Sequence, residues 1–264
     1  VENQVTLAIT LHDPDGRLLE QLRKTVPFLT AQVHSIVANV SPDLDAAVRD
    51  LLLAEGVRVR AHERQSHSGI IQLGQVRRAV LTMALETHAP FILYCDGDRV
   101  LHWADRYPNE LTTALEQIPA HDFTIFGRTP RAFQTHPQVQ RDTERIINQV
   151  FAQVSGQAWD ITAAARGLSR AAAQAIVDGS HDDSFGVDAS WPLFVQRAGR
   201  FTMAYVETEG LEFETADRFV AEIQAAGGLA RWLAQFDSDP QHWAFRLQLA
   251  QIEVESMLPY AQTQ

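Results

Sequence analysis

Cysteine is almost absent from this chain. Cys95 is the one thiol in 264 residues, so no intramolecular disulfide framework can form, and the composition suits a reducing, cytoplasmic setting. Long apolar runs are missing as well; none approaches the ~20 residues that a membrane helix needs, so no transmembrane segment is expected. The opening residues, VENQVTLAIT, lack a basic stretch followed by an apolar one and do not read as a signal peptide. Positive charge is scarce: 22 Lys and Arg stand against 33 Asp and Glu, a net charge of −11. That balance argues against nucleic acid as a partner, and a phosphate-bearing ligand would need a metal or a few local arginines to reverse the field. No Walker loop, HExxH, CxxC or GxSxG occurs, which leaves P-loop hydrolysis, zinc proteolysis and serine-hydrolase chemistry without motif support.

What the chain does have is alternation. Residues 5–11 (VTLAITL), 33–40 (VHSIVANV), 57–61 and 91–95 read as buried strands, with amphipathic helical stretches between them. Leu18, Leu19, Leu22 and Val26 mark the first helix, with Asp15 or Gly16 as its cap; Leu44, Ala47, Val48, Leu51 and Leu52 mark the second; Val76, Ala79, Val80, Met83 and Ala84 mark the third, over 72–88. Such βα repetition with short connections predicts an α/β domain with a mostly parallel sheet. Further on, 107–118 reads as helix, 122–127 as strand, 128–140 as polar loop, and then a helix follows with Ile146, Ile147, Val150, Phe151 and Val154 on its apolar face. Residues 159–164 suggest a short strand, 170–177 a short helix, 179–188 a charged loop and 201–207 a last strand; from about Arg218 the pattern is helical, broken at 237–240. We therefore divide the chain into a core, 1–217, and a C-terminal helical extension, 218–264, packed on the core or on a second subunit, with Trp232, Trp243 and Phe245 as contacts for the core or for a homodimer.

The stretch PFILYCDGDRVLHW, 90–103, carries the chemistry. An apolar strand runs into Asp96-Gly97-Asp98, which reads as a Gly-loosened turn bearing two carboxylates. Ligands of open α/β sheets bind beyond the carboxyl ends of the strands, and Mg²⁺ is commonly held by one or two carboxylates plus substrate phosphates. A plain Asp-Gly turn is the alternative. Arg77, Arg78 and Arg99 could face a diphosphate, since guanidinium matches phosphate oxygens in pairs. Asp188 reads either as a general base or as a helix N-cap before Ser190-Trp191-Pro192.

On this order of elements and on Asp96-Gly97-Asp98 in the place of a DxD motif, residues 5–210 resemble the GT-A fold (Rossmann-like) nucleotide-diphospho-sugar glycosyltransferases, the family-2-like enzymes and relatives such as mannosylglycerate synthase. Two weaker echoes add to it: Trp159-Asp160-Ile161-Thr162 with Ala165-Arg166-Gly167, and Gly186-Val187-Asp188-Ala189 before Trp191. The resemblance implies transfer of a sugar from a GDP- or UDP-linked donor to a hydroxyl acceptor, assisted by Mg²⁺ or Mn²⁺, inverting or retaining. A GT-A-like binding or scaffold protein without catalysis is the alternative. It implies that Thr10, Leu11, His12, Asn39 and Glu63 lie beside the nucleotide, that residues 69–78, including Arg78, pass near the diphosphate with Gly97 and Arg99, and that Asp96 contacts ribose, sugar or metal. Asp98 would be the principal metal ligand, Asp188 the base, and Arg128, His136 and Asp160 the acceptor side. The acidic residue after the first strand is either Asp13 or Asp15. The third metal ligand is open among Glu207, Glu209 and His181, with Glu209, Glu212, Glu214 and Asp217 read as a solvated face of which one could reach the metal.

Overall fold

The computed structural model describes residues 3–63 and 72–261. Among them is a seven-stranded sheet formed by β1 (Val5–Leu11), β2 (Ser35–Val40), β3 (Arg58–Ala61), β4 (Phe91–Asp96), β5 (Phe123–Arg128), β6 (Ala165–Ser169) and β7 (Met203–Thr208), in the order β3-β2-β1-β4-β6-β5-β7. All pairings are parallel except those of β6, which runs antiparallel to both β4 and β5. Helices cover both faces, so the protein is α/β with a mostly parallel sheet.

The strands read as continuous apolar runs because successive side chains enter two different cores. Leu7, Ile9, Leu93 and Cys95 pack with Leu22, Val48 and Leu101 on one face. Ala8, Val37, Ile92 and Tyr94 pack with Val80, Ile147, Ile176 and Trp191 on the other. Trp191 meets the Tyr94 ring edge-on at 5.9 Å. The last long helix, Pro240–Met257, packs against the Gln138–Ser155 and Val187–Ala198 helices and sends Ala250 and Met257 into the second core. No described helix is long and apolar enough to cross a membrane.

Several local expectations are corrected. The DGD stretch is not a loose turn: β4 ends at Asp96 and Gly97 opens the Gly97–Arg106 helix directly. The first helix, Leu19–Gln32, is preceded by neither an Asp15 nor a Gly16 cap; buried Asp13 instead accepts from the amides of Arg17 and Leu18 at 3.0 and 2.9 Å. The expected loop at 128–140 holds a short helix, Pro130–Gln134, capped by Thr129, and the start of Gln138–Ser155. On that long helix Ile147, Val150, Phe151 and Val154 pack on the core as expected, but Ile146 is 49% exposed, and Val139, Gln140, Thr143 and Glu144 are buried as well. The expected strand at 159–164 lies just after it, as β6, because Asp160 turns to Arg128 and Ala164 takes a left-handed φ of 49° that no strand tolerates. Residues 64–71, which include most of the polar loop expected at 62–69 and the segment 69–71 expected near a diphosphate, fall outside the described residues.

Candidate functional site

Strand order reverses at β1. The chain steps outward from β1 through β2 to β3, then returns to place β4 on the other side of β1. Such a switch point opens a crevice at the strands' carboxyl ends. Register puts Thr10 level with both Asn39 on β2 and Asp96 on β4, so three polar side chains stand in one row along that edge. Gly97 lets the next helix start against β1: a Cβ there would lie 2.9 Å from the Thr10 carbonyl oxygen and from a Leu11 methyl. The cavity at this edge measures about 500 Å³ and is lined by Thr10, Leu11, His12, Asn39, Asp96 and Asp98 among others. His62 lines it rather than its neighbour Glu63, which is exposed.

Asp96 stands at the N-cap of the Gly97–Arg106 helix but makes no capping bond, because its oxygens turn back to the sheet. Oδ1 accepts from Thr10 Oγ1 at 2.9 Å and from Tyr94 Oη at 2.6 Å; Oδ2 accepts from Arg77 Nη2 at 2.8 Å. Burial works to raise its pKa, but the Arg77 and Arg99 guanidinium groups and these hydrogen bonds outweigh it and hold Asp96 below the ordinary carboxylate range.

Asp98 is the opposite case. Its carboxyl is pushed up from 3.8 to about 6, first by burial and next by the negative charge of Glu214. The sequence gap from 98 to 214 is bridged by several contacts, a histidine among them. His102 lies one helical turn beyond Asp98, on the same side of its helix. Its Nδ1 is 2.6 Å from Asp217 and its Nε2 is 3.3 Å from Glu212, an acid on either side of Glu214. Burial disfavours its charge, but these carboxylates prevail and raise its pKa. Glu110 fastens the same segment from the neighbouring helix by accepting from the amides of Glu209 and Gly210 at 2.7 and 2.8 Å. The 209–218 segment is thereby folded over the strand edge. It brings in buried Glu214, and also Arg218, whose Nη1 is 3.5 Å from Asp98 Oδ2 and which lines the first cavity. An acidic run beside buried Phe213, with a histidine at i+4 from the motif, is the signal that a solvated-face reading passes over.

Among the described residues no three His, Cys, Asp or Glu side chains are arranged to hold a metal ion by themselves. Two carboxylates do fit a divalent cation whose remaining ligands are phosphate and water: Asp98, and Glu214, whose Oε2 is buried without a hydrogen-bond partner. Asp96 fits less well, since Arg77 lies 2.8 Å from it, closer than Arg218 to Asp98 at 3.5 Å or Arg99 to Glu214 at 3.7 Å. His181 and Glu207 are exposed, and Glu209 is ion-paired with Arg131.

A second cavity, about 280 Å³, lies on the other side of Asp96. Asp188, in the first turn of the Val187–Ala198 helix, reaches it; the cap position is Gly186. Asp188 Oδ2 is 3.0 Å from Arg77 Nη1 and Oδ1 is 3.8 Å from Arg166 Nη2. Arg77 is therefore a fully buried bridge between Asp96 and Asp188. The far wall comes from the C-terminal helices, through Phe236, His242, Phe245, Arg246, Leu249 and Glu253. Arg99 and Glu144 complete it, with Arg99 Nε 3.7 Å from Glu214 Oε1 and Arg246 Nη1 3.6 Å from Glu144 Oε1.

The remaining sequence candidates sit behind these walls. Arg128 is fully buried and pairs with Asp160 through Nε at 2.7 Å and Nη2 at 2.9 Å, and with Glu144 at 2.7 Å. Burial opposes the charge on Asp160, but Arg128 overrides it and lowers its pKa. His136 is buried, its Nε2 3.9 Å from Glu214 Oε2; burial, then the Arg128 and Arg99 charges, depress its pKa and keep it neutral. Arg78 bonds the Asp182 carbonyl at 2.9 Å and pairs with Asp183, away from both cavities.

No protein-family model matches the chain, and no curated protein does. Among solved structures it is similar to a protein from Desulfovibrio desulfuricans G20 with a provisional description as a nucleotide-diphospho-sugar transferase, at 11% identity and a TM-score of 0.41, covering 99% of this chain and 100% of that one. It is also similar to a 4-diphosphocytidyl-2C-methyl-D-erythritol synthase from Anaerococcus prevotii DSM 20548, at 12% identity and a TM-score of 0.44, covering 85% of this chain and 100% of that one. Both likenesses are too distant to bear on the reaction.

Proposed function

We propose that this protein transfers a sugar from a nucleotide-diphosphate donor to a hydroxyl acceptor. The observation that carries the reading is the pair of cavities sharing Asp96 as a common wall: one large enough for a nucleotide at the switch point of the sheet, the other small, lined by charged and aromatic side chains and walled off by the C-terminal helices. In this reading the base and ribose lie along Thr10, Leu11 and Asn39. The diphosphate lies against Arg218, whose guanidinium would stabilise charge growing on the leaving group. Asp98 and Glu214 would hold Mg²⁺ or Mn²⁺, which when bound supplies further neutralisation of the diphosphate.

Asp188 serves as counter-ion to Arg77. Both of its oxygens face guanidinium groups, and through Arg77 it fixes Asp96 at the boundary of the two cavities. Of the second-cavity carboxyls, Asp96, Glu144 and Asp188 are ion-paired, and burial beside Asp188 and Glu144 pushes Glu253 well above the usual carboxylate range, so none is taken as an ionised base. The reading accordingly gives the acceptor proton to the departing diphosphate and expects retention of anomeric configuration.

Thermal shift with GDP, UDP and their sugar conjugates, with and without Mn²⁺, tests the donor site. Metal-dependent stabilisation by one nucleotide family is expected; no shift with any of them overturns the reading. Slow donor hydrolysis by wild type, lost in Asp98→Asn, separates an enzyme from a binding protein.

A further inference from the structure

We propose that the second cavity binds an uncharged, hydroxyl-rich acceptor of monosaccharide size, recognised by Arg246 and Glu253 of the last long helix. This deepens the transfer reading and rests on it, because it names the acceptor class for a donor held in the first cavity.

The first argument is charge. Three guanidinium groups, Arg77, Arg99 and Arg246, face this cavity, together with the carboxyls of Asp96, Glu144, Asp188 and Glu253. Each guanidinium already has a carboxylate: Arg77 has Asp96 and Asp188, Arg99 has Glu214, and Arg246 has Glu144. No guanidinium is left over for a carboxylate or phosphate on the ligand, and an anion placed among these acids would be repelled.

The second argument is the supply of unmet hydrogen bonds. Arg77 Nε, Arg99 Nη1 and Glu253 Oε2 are buried without a hydrogen-bond partner. Glu253 is 2% exposed, is not ion-paired, and lines the cavity. The groups that act on it are Asp188 and Glu144, then Arg77 and Arg246. Burial and the two carboxylates push its pKa well above the usual range, so it is protonated and offers both a donor and an acceptor. Guanidinium donors beside a neutral carboxylic acid match hydroxyl groups, which donate and accept in turn. Phe236, Phe245 and Leu249 supply the apolar surface that a sugar's C–H face requires. A cavity of 280 Å³ sits at the small end of ligand sites, which run from about 300 Å³ upward, and so suits one ring.

The test uses the full chain with UDP or GDP and Mn²⁺ present, titrated by calorimetry with D-glucose and D-mannose and with the anionic probes D-glucuronate and D-glucose 6-phosphate. The neutral sugars are expected to bind at least tenfold more tightly than the anionic ones. Glu253→Gln, which keeps a donor and an acceptor, should stay within about threefold of wild type, while Glu253→Leu should lose at least tenfold. Nucleotide stabilisation accompanied by equal or tighter binding of the anionic probes, or by no binding of the neutral ones, overturns the proposal alone. Absence of any nucleotide-dependent stabilisation overturns the transfer reading and the acceptor assignment with it. If Glu253→Leu does not fold, the wild-type preference between neutral and anionic probes decides the matter.

Discussion

The two cavities that meet at Asp96 are built from opposite kinds of structure. The first is a property of the sheet edge: β1, β2 and β4 place Thr10, Asn39 and Asp96 in one register row, and its strand-end residues come from the first hundred. The second is walled by helices far apart in sequence, with Arg77, Glu144, Asp188 and Glu253 converging from four of them. Their electrostatics differ as well. In the first, Asp98 feels the negative charge of Glu214, which Arg99 approaches only to 3.7 Å, and Arg218 is 21% exposed, an arrangement that a cation and a diphosphate would complete. In the second, the guanidinium groups and carboxylates already match. A site left electrostatically incomplete calls for a charged ligand; a matched one suits a neutral ligand.

Substitution at the shared wall should have the largest effect and should abolish the distinction. Asp96→Ala removes one partner from a buried pair and leaves Arg77 short of a carboxylate, a change that costs about 3–5 kcal/mol. Chemical denaturation should show that loss, and ligands of both cavities should weaken together. Retention of either ligand at wild-type affinity would show that Asp96 does not couple the two.

Arg218→Ala should divide them. Hydrogen bonds to charged groups contribute about 1.5–3 kcal/mol, so affinity for UDP or GDP should fall at least tenfold. Affinity for UMP or GMP should change less, and sugar binding in the second cavity should not change. Equal losses for mono- and diphosphate would remove Arg218 from the diphosphate's side.

The same contrast explains what the sequence disclosed. Thr10, Leu11, His12, Asn39, Asp96 and Asp98 were all legible as neighbours, because an apolar strand that ends in polar residues announces both its burial and its carboxyl edge. Glu253 and Arg246 were not. On a surface helix, charged positions interleaved with Leu249 and Ala250 read as a solvated face, and only the packing of Pro240–Met257 against Gln138–Ser155 turns them inward. Glu214 was legible only as one of four acids of which one could reach the metal, and Arg218 not at all, for a related reason: an acidic run after a last strand looks like a loop until His102 draws Asp217 and Glu212 onto the motif helix. Arg128, Asp160 and His136 were noticed for their chemistry, and in the structure they form a buried network behind the cavity walls. Residue type marked them; burial depth was not readable.

Acidity sharpens the first cavity further. Asp98 titrates near 6, so nucleotide binding that depends on Mn²⁺ should be strong at pH 7.5 and should fade as pH drops through about 6. The stability sign is the reverse. A carboxyl raised from 3.8 to about 6 holds its proton more tightly in the folded state, so its ionisation destabilises the fold as pH rises across that window. Glu214→Gln removes one of the causes, beside burial and the charge of Asp96, and should shift the midpoint of metal-dependent binding downward from that of wild type. Thermal shift in Mn²⁺ between pH 5 and 8 reads both midpoints. An unmoved midpoint in Glu214→Gln would mean that burial and Asp96 set the Asp98 value without Glu214.

The smallest effect belongs to the second cavity's backbone. Ala164 lines it with a φ of 49°, a left-handed conformation that costs an L-residue roughly 1–2 kcal/mol. Strain of this kind persists where surrounding contacts fix it, and it gathers at ligand sites. Ala164 lies between Thr162, which donates to Asp160 at 3.1 Å, and Ala165, which opens β6 beside β4, so the turn is pinned at both ends. Ala164→Gly relieves the strain but adds freedom to the unfolded chain, and the two together should leave a gain of about 0.5–1 kcal/mol. Denaturation midpoints would show that gain. Because the pinned ends hold the backbone in place, neutral-sugar affinity should remain within about twofold; a larger loss would mean that the alanine methyl itself forms part of the surface that contacts the ligand.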